Sequence, residues 1–70
     1  MHFALIFDTT NSVLFEEIKA LFNLEEIPFK IKINEASMFN NFGNYEIYVS
    51  SEFENKAKEI IKNAIGEPSN

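Results

Sequence analysis

The sequence has no cysteine, no arginine, no tryptophan and one histidine. Without cysteine there is no disulfide framework, no thiolate metal site and no cysteine nucleophile. With a single histidine and no arginine, the common acid–base and phosphate-clamping constellations lack their raw material. Lysine is also scarce: six lysines face eleven acidic residues, for a net charge of −5. Nucleic-acid binding needs a positive footprint to neutralise phosphates, so no nucleic-acid partner is expected. Long apolar runs are missing as well. The longest, Phe3 to Phe7, is far too short to cross a bilayer, and no basic stretch precedes it as in a secretory leader. The expectation is a cytoplasmic protein with no membrane association and no cofactor.

What is present is ordinary globular composition: 70 residues, 46% hydrophobic and 24% charged. A chain of this size buries only about 60% of the surface its unfolded form exposes. One thin core follows, in a single domain over residues 1–66 with a frayed tail over 67–70.

His2 to Phe7 reads as a short apolar strand closed by the polar cluster Asp8-Thr9-Thr10-Asn11, in which Thr10, Asn11 or Ser12 is placed to cap a helix. From Val13 to Leu24 the period is helical. Leu14, Ile18 and Leu21 share a face, Phe15 and Phe22 flank it, and Glu16-Glu17 suit the positive N-terminal end. Ile27-Pro28 stops this helix, because a residue before proline resists the α region. Phe29 to Asn34 alternates between apolar and polar residues as a half-exposed strand does. Residues 35–44 read as a loop: Gly43 and its asparagines are turn chemistry, while Met38, Phe39 and Phe42 are not. Tyr45 to Val49 alternates again. Ser51 and Glu54 have the spacing of a capping box before a second helix over residues 52–65. Its stripe is Phe53, Ala57, Ile60 and Ala64, and Gly66 stands at the C-terminal stop.

The order β-α-β-β-α implies an α+β two-layer sandwich with strand order 1-3-2 and both helices on one face, a ferredoxin-like fold without its last strand. In this reading strand one lies parallel to strand three. His2, Ala4, Ile6, Lys30, Lys32, Asn34, Glu46 and Tyr48 fall on the open sheet face. Strand two carries lysines and a leading proline, the usual protection of a sheet edge. Strand one carries neither and no other protection, which leaves it for a homodimer, for the C-terminal segment or for a covering loop.

Few residues invite chemistry. His2 is a lone histidine by an apolar strand. Asp8, the only aspartate, follows a strand and reads as a turn or capping residue. Glu16-Glu17 and Glu25-Glu26 are sequence neighbours, pointing about 100° apart on a helix, so neither is a paired-carboxylate site. No catalytic or metal-binding residue is expected, and the chain reads as a non-enzyme. The candidate partner or ligand contacts are Asn34, Glu35, Met38, Phe39 and Phe42, because loops on a rigid scaffold carry binding function. The same apolar residues also serve as cover for a small core.

The opening strand with Phe7, the helix through Leu21 to Ile27-Pro28, Asn34-Glu35, Gly43, Ile47-Tyr48-Val49 and the last helix with Ala57 and Ile60 together resemble a prokaryotic family of short signal-transducing domains with a PII-like fold. The match covers residues 3–65 and rests on hydrophobic spacing. It implies a sensing or adaptor role and no reaction. Phe7-Asp8-Thr9-Thr10 with Glu17 is also similar to the opening of small selenium or sulfur carriers. Phe42 stands at the place of their cysteine, and a chain without a thiol has lost that chemistry. The leading expectation is a non-enzymatic signalling or interaction module with an unknown protein partner or small ligand, self-associating through strand one. The alternative is a small acidic inhibitor or antitoxin-like protein that covers a basic surface.

Overall fold

The structure, a computed structural model, describes residues 2–35 and 43–66 of the 70. The elements are β1 (Phe3–Thr9), α1 (Ser12–Leu24), β2 (Phe29–Asn34), β3 (Asn44–Ser50), a 3-10 turn (Ser51–Phe53) and α2 (Glu54–Ile65). The three strands form one sheet in the order β1-β3-β2, with α1 packed against β1 and α2 against β1 and β3.

Both neighbours of β3 are antiparallel to it. The expected parallel pairing of strands one and three is therefore corrected. One helix between β1 and β2 returns the chain in its original direction. The β2–β3 hairpin then reverses it, so β3 must run against β1.

Each helix boundary has a local cause. Asn11 is extended (φ −92°, ψ 106°), and its side chain accepts the N–H groups of Val13 at 3.0 Å and Leu14 at 3.2 Å. This satisfies two of the donors that a helix start leaves over. Glu16 and Glu17 do not serve that end, since the first turn holds no acidic residue. At the other end Ile27 N donates to Phe22 O at 2.9 Å and Glu26 N to Asn23 O at 3.1 Å. This is the Schellman pattern, with Glu26 in the left-handed position at φ 60°. A glycine holds that conformation without strain. Glu26→Gly is expected to stabilise the fold by about 0.5–1 kcal/mol, read as a higher urea midpoint with an unchanged slope.

The expected capping box at Ser51 and Glu54 does not form. The chain enters α2 through the 3-10 turn, and neither Ser50 nor Phe53, the residues preceding the turn and the helix, makes a side-chain capping bond. Gly66 ends α2 at φ 69°, in the left-handed region as expected.

The core is Phe15, Ile18, Phe22, Ile27, Ile47, Val49, Ala57 and Ile61. The buried stripe of α1 thus runs through Phe15, Ile18 and Phe22, with Leu14 and Leu21 at its margin. The expected stripe is rotated by the ring contacts that α1 makes with the sheet. Phe15 stacks on Tyr45 (centroids 4.7 Å apart, 22° between planes), and Phe22 meets Phe29 at 5.8 Å. On α2 the fully inward position is Ala57, joined by Ile61.

Candidate functional site

The open face and the two edges of the sheet are surfaces through which this fold can meet a partner. Tyr45, Ile47 and Val49 of β3 pack on the helix side, so Glu46 and Tyr48 face outward. In β1 the register slips between Leu5 and Phe7: Leu5 is opposite Tyr48, and Phe7 is opposite Ile47. Ile6 is the extra residue. The slip puts Ala4, Phe7 and Thr9 opposite core-facing partners, and Ile6 also packs on the core. The open face therefore receives Phe3, Leu5 and Asp8 from β1. The assignment of Ala4 and Ile6 to that face is corrected, and so is the reading of strand one as an edge with no protective feature. A bulge is one of the devices that interrupts edge pairing.

Across the open face the residues form rows. Leu5, Tyr48 and Lys30 lie in one row, and Asp8, Glu46 and Lys32 in the next. Lys30 Nζ lies 4.4 Å from the Phe3 ring centroid. Tyr48 Oη donates to Glu46 Oε1 at 2.7 Å. That hydrogen bond, then desolvation and the Glu46 charge, raise the Tyr48 pKa above its ordinary value of 10.0. Because the folded-state pKa is the higher one, this contribution is fully present below the unfolded value. It is lost as pH rises through the folded-state pKa. Glu46→Gln is expected to move the Tyr48 midpoint down toward 10, followed by ultraviolet titration of tyrosinate.

Asp8 lies within β1, opposite Glu46, not in a turn or a cap. The nearby turn is closed by Thr9, whose Oγ1 accepts the Asn11 N–H at 3.0 Å. His2 is exposed, and its carbonyl accepts the Ser51 N–H at 2.9 Å. Asn34 Nδ2 donates to Asn44 Oδ1 at 2.8 Å, which ties the ends of β2 and β3 at the mouth of the loop. Glu35 is exposed. Met38, Phe39 and Phe42 lie outside the described residues. Among the described residues no group of three or more His, Cys, Asp or Glu side chains is placed to hold a metal ion. No helix among them is long and apolar enough to cross a membrane.

Two exposed features were not anticipated. Ile31 and Ile33 share the helix-side face of β2, opposite Ile47 and Tyr45, yet they are 43% and 52% exposed. The alternation of Phe29-Lys30-Ile31-Lys32-Ile33 identified the face correctly. It carries no information on how far the helices extend over it. Leu5, 48% exposed, is the counterpart at the β1 edge.

Fold and surface together define a small two-layer α+β protein of ferredoxin-like arrangement. Compared with known proteins, the chain matches no family model, no curated protein and no solved structure.

Proposed function

We propose that the chain is a small non-enzymatic interaction module that works by strand addition at the outer edge of β1, with a second copy as the partner. The observation that carries this is the position of β1. It is an outermost strand, at the place where a ferredoxin-like sheet takes a fourth strand. The Ser51 N–H to His2 C=O bond makes His2 and Ser51 a hydrogen-bonded pair. Antiparallel alternation then points the N–H and C=O groups of Phe3 and Leu5 away from β3, as a template for another strand. The bulge at Ile6 confines the regular template to the residues before it. Leu5 adds an exposed apolar side chain to the same stretch.

Native mass spectrometry over a dilution series tests the reading on the untagged protein and on Leu5→Lys. The wild type is expected to dimerise. The variant puts a charge on the pairing edge without touching the core, so it is expected to weaken the dimer about tenfold or more while keeping its circular dichroism spectrum. A wild type that stays monomeric at every concentration, or a Leu5→Lys dimer of unchanged affinity, refutes strand addition at this edge.

A further inference from the structure

The helical layer carries a separate surface. Between α1 and α2 runs an open groove of about 460 Å³, lined by Glu17, Leu21 and Glu25 on one side and Ile60, Asn63 and Ala64 on the other. Beside it, Val13, Glu17, Ala20 and Leu24 follow one another along α1 at i, i+4, i+7 and i+11, which places them in one stripe. Val13 and Leu24, at the two ends of that stripe, are 75% and 76% exposed. They are the two most exposed large apolar side chains among the described residues, and Leu21, Ile60 and Ala64 give the groove beside them its apolar lining.

The charged side chains that line the groove, Glu17 and Glu25, are both acidic. Glu17 lies within the stripe itself, and Glu25 stands at the C-terminal cap of α1. The one lysine of α1, Lys19, lies over the Phe15 ring at 4.8 Å, on the side of the helix that meets the sheet. It pairs there with Glu16 at 3.2 Å. Across the groove Lys56 reaches Glu25 at 3.6 Å. Among the described residues Glu17 has no cationic partner.

We infer that the α1–α2 groove docks an amphipathic helix of a partner protein, with an apolar stripe on the groove floor and lysines or arginines facing Glu17 and Glu25. A helix is the fitting occupant because both walls are helices with their backbone bonds already made. They offer ridges and grooves to another helix and no edge to a strand. The stripe from Val13 to Leu24 is about 16 Å long, enough for three turns of a partner. A basic helix fits because an acidic one would bring like charge against carboxylates as water is excluded.

The test uses two synthetic helical peptides of about 18 residues, identical in their leucine and alanine stripe. One has lysine at every polar position and the other has glutamate. The lysine peptide is expected to bind the full chain and to shift the amide resonances of Leu21, Glu25, Ile60 and Ala64, while the glutamate peptide does neither. Val13→Ser with Leu24→Ser is expected to weaken binding about tenfold, and both positions are exposed enough for the fold to persist. Glu17→Lys is expected to weaken it similarly. Asp8→Lys makes the same change in net charge on the opposite face of the molecule and is expected to leave affinity nearly unchanged. No binding of the lysine peptide, equal losses in Glu17→Lys and Asp8→Lys, or full affinity in the serine double variant each overturns the inference. The groove and the β1 edge are distinct surfaces, so this inference and the strand-addition reading fail independently.

Discussion

Phe22→Ala is expected to come close to unfolding the protein. Phe22 is fully buried, its ring meets Phe29, and its carbonyl accepts the Ile27 N–H that closes α1. It thus joins the helix, the sheet and the turn between them. Truncating a buried phenylalanine to alanine costs about 3–5 kcal/mol, transfer and cavity together. The whole stability of a chain this long is roughly 4–10 kcal/mol. The expected result is a fall in Tm of roughly 15 °C or more, measured by calorimetry or thermal circular dichroism. Leu24→Ala, at an exposed position of the same helix, is the internal control and is expected to stay within about 0.5 kcal/mol of wild type. If the two variants melt alike, the core is not organised around Phe22.

Ala57→Leu is expected to have the next largest effect. Ala57 is fully buried on α2, which packs on β1 and β3. With no exposed surface at this position, a larger side chain must displace its close-packed neighbours. Three further carbons are expected to cost about 1–3 kcal/mol through displaced neighbours and unfavourable rotamers. The denaturant midpoint should fall. Amide resonances of Ile47 and Val49, the buried β3 residues beneath the helices, should shift more than those of Lys30 and Lys32 on the open face. An unchanged midpoint would mean that α2 sits farther from the sheet than its burial implies.

Much of this architecture is legible in the residues. Alternation from Phe29 to Asn34 gives β2 its observed bounds, and Gly66 stops α2 where a left-handed residue is needed. The strand order follows from the β-α-β-β-α sequence of elements. The direction of β3 was misread, although the hairpin before it fixes that direction on topology alone. Other misses have different causes. The slip at Ile6 leaves no mark in HFALIF, where every residue is apolar or aromatic and each phase looks alike; only pairing with β3 selects one. The capping box at Ser51 is a true local spacing, overridden when the chain enters α2 through a 3-10 turn. Of the candidate contacts, Asn34 is seen to tie the ends of β2 and β3 together. The exposure of Ile31, Ile33, Val13 and Leu24 is not legible because hydrophobicity marks what should be buried and does not say whether a small two-layer fold has the area to bury it.

The order β1-β3-β2 has a consequence for how the chain comes to be folded. Among the described residues β3 is the only strand that bonds to either of the others, and it is the last of the three to be synthesised. A nascent chain that ends before residue 44 holds two strands and a helix but no pair of strands that can join. β1 therefore waits for a partner some forty residues further on, and the loop between them closes late. Sheet formation in this protein is one event, gated by the emergence of a single seven-residue segment.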